Sequence, residues 1–193
     1  MNQLYDRQKN LFLKSDMSVT ICGCGGIGYW VAKFVAMSGI DKIYLFDPDV
    51  IEVHNLNRLD LPMSSLGHNK ASITRNMINE IRPETSVYAI PFILQEHTFR
   101  KTDWMIDCTD KNSSQENNYR IAQKFGTRYM KAGYDGEHIT LANKLPEWGE
   151  SVDGYTVVPS WVVPATIIAA LAVGKMMKYE EKEVSCSIKE IYE

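Results

Sequence analysis

Residues Gly23 to Gly28 read Gly-Cys-Gly-Gly-Ile-Gly, set between the apolar β-type run Val19-Thr20-Ile21-Cys22 and an apolar helical pattern that begins at Ile27. Closely spaced glycines between a strand and a helix let the backbone approach a phosphate, while free amides at the helix start point at negative charge. Gly23, Gly25, Gly26 and Gly28 therefore mark a nucleotide site. Alone they fit a dinucleotide dehydrogenase as well as an ATP user. Asp47 closes the next apolar run, about 20 residues past the last motif glycine, where an α/β nucleotide domain sets an acid on ribose hydroxyls. Asp49 follows, then Asn55-Leu56-Asn57-Arg58, then Lys70 at a helix start. A dehydrogenase needs no such cluster. An ATP site from which pyrophosphate leaves the α-phosphate needs cations, because charge develops on phosphate oxygens in the transition state, and Arg58 and Lys70 are the candidates. Further on, Asp107-Cys108-Thr109-Asp110 ends another apolar strand. A carboxylate at a strand end beside a triphosphate suits Mg²⁺, a hard cation that takes one or two carboxylates plus phosphate oxygens and water. Asp110 is the expected metal ligand, and Asp107 is expected to hold its loop through backbone bonds.

These side chains need a scaffold of alternating strands and helices. Leu4 to Leu13 reads as a leading helix, Met17 to Cys22 as a first strand, Ile27 to Met37 as a helix stopped by Gly39, and Lys42 to Phe46 as a second strand. Asn69 is placed to cap a helix over Lys70 to Ile81, with Pro83 beyond its end; Val87 to Ile90 and Trp104 to Cys108 read as further strands. This series implies an α/β fold, Rossmann-like and three-layered, with ligands at the carboxyl ends of a mainly parallel sheet. Asp47, Asp110 and the glycines all fall at such ends. The second half changes character. Asn112 to Phe125 reads as a helix, Tyr129 to Ala132 as a strand, and Glu137 to Leu141 as an antiparallel partner beyond the Asp135-Gly136 turn. Asn143 to Asp153 reads as a surface loop, Tyr155 to Val158 as a strand, Pro164 to Met177 as a helix and Val184 to Ile191 as a terminal edge strand.

Composition bounds the function. A chain of 193 residues, 45% of them hydrophobic, is enough for one sizeable core, and a single domain is the expectation. A formal net charge of -3 with interspersed signs offers no basic stripe for nucleic acid. The four cysteines, Cys22, Cys24, Cys108 and Cys186, are irregularly spaced and suit reduced thiols in a cytoplasmic protein. The polar start from Met1 to Lys14 has no signal-peptide core. The apolar stretch from Trp161 to Gly174 falls short of the ~20 residues that span a bilayer and is broken by Pro164, so a buried helix rather than a membrane segment is expected.

Taken in order, the chain carries Tyr5-Asp6-Arg7-Gln8, the glycine motif, Asp47 with Asp49, Asn55-Leu56-Asn57-Arg58, Lys70 and Asp107-Cys108-Thr109-Asp110. This set resembles the ThiF/HesA/MoeB superfamily, the bacterial relatives of ubiquitin-activating enzymes, from the N-terminus through about Ile139 and again in the Pro164 to Met177 helix. The resemblance implies adenylation: the C-terminal carboxylate of a small ubiquitin-like or sulfur-carrier protein ending in Gly-Gly, or of a peptide, attacks the α-phosphate of ATP with Mg²⁺ and releases pyrophosphate. It implies that Arg58, Lys70, Asp110 and Arg7 supply charge at the reacting centre, with Arg7 reaching across a homodimer. It also implies that Gly23, Gly25, Gly26, Gly28, Asp47, Asp49, His54, Asn55, Leu56, Asn57 and Lys111 line the nucleotide. On the same basis residues 1–16 form an arm, 17–132 the nucleotide-binding half, and 133–193 a carrier-binding and dimer half with a crossover loop near 142–163.

The chain departs from the family pattern in several places. Many members hold a structural zinc with two Cys-x-x-Cys pairs; none is present, so zinc is not expected. No cysteine lies between Tyr134 and Pro164, where members that form a thioester or persulfide carry one, so transfer to another protein's thiol or sulfide is the expected next step. Lys111 replaces a customary asparagine and Leu59 a glutamine, and the segment from Arg7 to Gly23 is shorter than usual. Cys22, Cys24 and Cys108 read as buried structural thiols, His54 and His68 as exposed loop residues, and Trp30, Phe34, Met37, Met176 and Met177 as core or dimer surface. Two other functions compete: a nicotinamide-dependent oxidoreductase using the glycine loop and Asp47, and a non-catalytic adaptor subunit of an activating complex.

Overall fold

The computed structural model describes residues 3–11, 13–145, 159–178 and 183–191. Strands β1 (Ser18–Cys22), β2 (Lys42–Phe46), β3 (Ser86–Ile90), β4 (Trp104–Asp107), β5 (Arg128–Tyr134), β6 (His138–Ala142) and β7 (Val184–Ser187) form one sheet in the order β3-β2-β1-β4-β5-β6-β7. Pairing is parallel from β3 through β5 and antiparallel from β5 to β6 and β6 to β7. This is the Rossmann-like α/β/α architecture, with the antiparallel continuation that the sequence predicts.

Register is what builds the site. Cys22 pairs with both Phe46 and Asp107, and Phe46 pairs with Ile90, so four carboxyl ends finish level. The residues just beyond are sewn together by backbone bonds: the Gly23 amide donates to Phe46 O at 2.8 Å, that of Asp47 to Ile90 O at 3.2 Å, and that of Cys108 to Cys22 O at 2.8 Å. The glycine loop, Asp47 and the Cys108 turn therefore share one edge.

Helices α1 (Gly26–Met37), α2 (Lys70–Ile81) and α4 (Val162–Met177) cover one face and α3 (Asn112–Phe125) the other. Between α1, α2, α4 and the sheet lies a core that includes Ile21, Val31, Val35, Leu45, Ile78, Ile106, Ile168 and Met176. Beneath α3, Phe46, Met105, Ile121, Ala122 and Tyr129 close the opposite side. Strand β1 is buried on both faces, which is why it reads as a continuous apolar run rather than an alternating one. Helix α4 is apolar almost throughout, and among the described residues no helix is long and apolar enough to cross a membrane.

Several expected boundaries shift. The leading segment is a 3-10 helix over Gln3–Leu11 with no buried residue, tacked down where the Tyr5 hydroxyl donates to Glu84 Oε1 at 3.2 Å. Strand β5 runs on to Tyr134, beyond the expected Ala132, because β6 pairs with it as far as that residue. Strand β7 stops at Ser187 rather than Ile191: the Ser187 amide donates to Glu190 Oε2 at 2.7 Å, and the Glu190 amide donates back to Ser187 Oγ at 3.3 Å, curling the chain into a 3-10 turn over Lys189–Ile191. Pro164 does not break the apolar stretch but lies in the first turn of α4, where its missing amide costs no intrahelical bond. The expected strand from Tyr155 to Val158 and most of the loop from Asn143 to Asp153 lie outside the described residues.

Helix α1 springs so closely from β1 that a Cβ on Gly28 would stand 1.7 Å from the carbonyl oxygen of Gly23. No rotamer change relieves a clash with backbone. Gly28→Ala is expected to lower the unfolding free energy by about 3 kcal/mol, read as a reduced urea midpoint at unchanged slope.

Candidate nucleotide site

The glycine loop is organised by Asp47. One of its carboxylate oxygens accepts from the Cys24 amide at 2.6 Å and the other from the Asp49 amide at 2.8 Å. Burial raises the carboxyl above its ordinary range, while these amides and the nearby Lys70 act in the opposite direction. With 4% of its surface exposed and each oxygen on an amide, Asp47 holds the loop in place. The Asn69 side chain extends the same network: its amide nitrogen donates to the carbonyls of Asp47 at 2.8 Å and Asp49 at 3.0 Å, while its oxygen accepts from the Ser72 amide at 3.0 Å and caps α2 as expected. Lys70, the first residue of α2, places Nζ 3.1 Å from Asp49 Oδ2. Its side chain is 14% exposed against 62% for Asp49, so the pair leaves the carboxylate facing outward.

The Asn55-Leu56-Asn57-Arg58 segment divides its labour. Asn55 is buried and accepts from the Glu52 amide at 3.0 Å within a capping box, and Leu56 packs on the small cluster of Tyr29, Ile51 and Leu59. These two shape the turn. Arg58 is presented by it: Nη1 donates to His54 O at 2.8 Å and to Asn57 Oδ1 at 2.9 Å, and the Arg58 carbonyl accepts from Trp30 Nε1 at 2.8 Å. The guanidinium arm lies over the first residue of α1, with Nε 3.0 Å from where a Cβ of Gly26 would stand. His54 is exposed beside Glu52, as expected of a loop histidine.

At the end of β4, Asp107 is fully buried and accepts four bonds, from the amide and hydroxyl of Thr109 at 2.9 and 2.7 Å, from Asn118 Nδ2 at 3.1 Å and from the Tyr129 hydroxyl at 2.9 Å. It holds its loop as expected, though through one backbone amide and three side-chain donors rather than backbone bonds alone. Burial and the adjacent Asp107 push the Tyr129 phenol far up, which keeps it a donor. Lys131, 2% exposed, donates to the carbonyls of Thr109 and Ala132, each at 2.8 Å, and of Asp107 at 3.3 Å. The turn so fixed presents Asp110, which is exposed and makes no hydrogen bond or ion pair among the described residues. Lys111 follows, exposed, at the N-cap of α3.

Gly23, Gly25, Gly26, Arg58, Lys70 and Asp110 thus gather along one edge of the sheet, with Asp47, Asn55 and Leu56 beneath them. Arg7 is not brought there. Its arm is docked through Tyr5 against Gly39 and the carbonyl of Ala36, at the far end of α1, roughly 18 Å along the helix axis from the glycine loop. Lys131, Asn118, Tyr129 and Tyr134 escaped the reading of the sequence. Only Lys131 left a signal in it, a charge inside an otherwise apolar strand. Among the described residues no three His, Cys, Asp or Glu side chains gather to hold a metal.

A family model described as the ThiF family matches residues 5–154. The chain belongs to the ThiF family. It is 30% identical over 115 residues to a tRNA threonylcarbamoyladenosine dehydratase of Bacillus subtilis, covering 56% of this chain and 45% of that one. A ubiquitin-like modifier-activating enzyme 5 of Dictyostelium discoideum is 27% identical over 79% of this chain and 44% of its own, and a probable molybdopterin-synthase adenylyltransferase of Porphyra purpurea 35% identical over 58% and 28%. The chain spans less than half the length of these relatives. Among solved structures, E. coli MccB crystallised with AMPCPP and MccA superposes with a TM-score of 0.79 at 20% identity, over 97% of this chain and 71% of that one, a likeness of fold.

The site holds no activated thiol. Burial raises Cys22 and Cys24 well above the usual thiol range and pushes Cys108 up to about 12, whereas Cys186 lies half-buried on β7. At about pH 8 a disulfide-exchange reagent is expected to label Cys186 at least roughly tenfold faster than the other three, which react only on unfolding.

Proposed function

We propose that this protein is an ATP-dependent adenylyltransferase that activates a carboxylate, offered at the C-terminus of a small ubiquitin-like or sulfur-carrier protein or of a peptide. The observation that carries the reading is the convergence of Arg58, Lys70 and Asp110 on the edge where the glycine loop presents the start of α1. In the reaction a carboxylate oxygen bonds to the α-phosphorus as the bond from that phosphorus to the bridging oxygen breaks, and pyrophosphate leaves with the electron pair. No general base is called for, because the attacking carboxylate is ionised at neutral pH. A divalent cation held by Asp110 would neutralise charge on the phosphates. Arg58, already tethered by His54 and Asn57, lies against Gly26 at the start of α1, and Lys70 lies beside Asp49. Relatives named as adenylyltransferases, and a structural neighbour crystallised with an ATP analogue, support the same reading. A nicotinamide enzyme would leave Arg58, Lys70 and Asp110 without work. The net charge of -3 favours a protein or peptide carboxylate over one borne on nucleic acid.

A homodimer belongs to this proposal. The paired helices α1 and α4 leave an apolar groove of about 520 Å³ toward solvent, lined by Leu11, Phe34, Met37 and Ala170 among others. Gln8, next to Arg7, lines the same groove, so a second copy seated there would meet the arm that carries Arg7. Ala170→Glu is expected to convert the dimer to monomer by sedimentation velocity and, if Arg7 works in the partner's site, to lower turnover together with association.

Exchange of labelled pyrophosphate into ATP, dependent on an added protein or peptide with a free Gly-Gly C-terminus, is the direct test. Asp110→Ala and Arg58→Ala are each expected to lower exchange by about 100-fold or more, as loss of a charge-stabilising contact in a transition state does. Retained ATP binding with no exchange across all such carriers would refute the proposal.

A further inference from the structure

A second side chain besides Arg58 lies against Gly26. A Cβ on Gly26 would stand 2.7 Å from the Tyr134 hydroxyl, closer than it would to Arg58 Cδ at 2.9 Å or Nε at 3.0 Å. At Gly25 the corresponding position has nothing within 4 Å. An anion can therefore come in over Gly25, but once it lies against the start of α1 it meets both a guanidinium and a phenol. Tyr134 is delivered by a rigid element. It ends β5, pairs with Ile139 on β6, and is followed by a tight turn in which Asp135 Oδ1 accepts from the amides of Glu137 at 3.2 Å and His138 at 2.8 Å.

The phenol has a partner that it can give up. Its hydroxyl is hydrogen-bonded to the hydroxyl of Ser160, on the segment Pro159-Ser160-Trp161 that leads into α4. That segment is held independently of this bond: Asn57 Nδ2 donates to the Ser160 carbonyl at 2.7 Å, Trp161 Nε1 donates to Gly136 O at 3.0 Å, and Pro159 packs against Gly136. Losing the Ser160 hydroxyl would leave all three anchors in place. The bond between the two hydroxyls thus parks a donor beside the start of α1 without being needed to hold the strap.

Building on the ATP reading above, we infer that Tyr134 is a further phosphate-contacting residue of this site. Its hydroxyl leaves Ser160 and donates to a phosphate oxygen of the nucleoside triphosphate seated over Gly26, opposite Arg58. A phenol adds there a neutral hydrogen-bond donor, where a second cation would repel Arg58.

Calorimetric titration of the full chain with ATP plus Mg²⁺, and separately with adenosine, tests this in wild type, Tyr134→Phe and Ser160→Ala. Tyr134→Phe is expected to weaken ATP about tenfold and to leave adenosine unchanged, the size of one hydrogen bond to a charged acceptor. Ser160→Ala, which frees the phenol, is expected to bind ATP at least as tightly as wild type. Three outcomes overturn the assignment: Tyr134→Phe binding ATP with wild-type affinity, Tyr134→Phe losing adenosine as much as ATP, or Ser160→Ala weakening ATP as much as Tyr134→Phe does, which would mean that the strap alone matters. A wild-type chain that binds no ATP would instead bring down the nucleotide reading itself, and this inference with it.

Discussion

A buried carboxylate holds the glycine loop in place, and the geometry of the whole edge follows from it. Asp47 stands at the end of β2 and reaches across to the amide of Cys24 beyond β1, so the loop is tied to the neighbouring strand by a charged acceptor rather than by helix packing alone. Its other oxygen holds Asp49, and through Asn69 the start of α2 and Lys70 join the same network. Taking a carboxylate out of water is costly unless its lone pairs are occupied, and here backbone amides occupy them. One side chain therefore sets the relative positions of the phosphate loop and a cation that faces it.

A second buried acid repeats the device one strand over. Asp107 ends β4 as Asp47 follows β2, and its four donors fix the turn that carries Asp110. Lys131 adds a cation whose hydrogen bonds go to carbonyls, not to the carboxylate. Removing one member of such a group leaves others unsatisfied in a low-dielectric interior, so the group behaves as a unit. The exposed residues of this edge stand on this foundation, which is why Asp110, without a partner among the described residues, is still held in a defined place.

Much of this was legible in the chain. Helices α2 and α3 begin and end where the sequence puts them, and for α2 the cap Asn69 is a local signal that tertiary structure had no reason to override. The strand ends that carry Asp47 and Asp110 were legible for the same reason, since apolar runs stop where the sheet does. What escaped depends on register across distant segments. Tyr134 reaches Gly26 only because β5 extends two residues past its apolar core to pair with β6, and no local pattern announces that. The direction of Asp47 is likewise decided by a loop over 20 residues earlier in the chain. The curl after Ser187 arises from a reciprocal bond with Glu190 that strand propensity does not register.

The tethering of Arg58 has a thermodynamic side. Its guanidinium is already bonded to the His54 carbonyl and the Asn57 side chain, and its main chain to Trp30, before any anion arrives. A long flexible cation normally loses about 2 kcal/mol of rotamer freedom when it is immobilised. Here folding has already absorbed most of that loss. The placement of a guanidinium beside Gly26 is accordingly a standing property of the free protein.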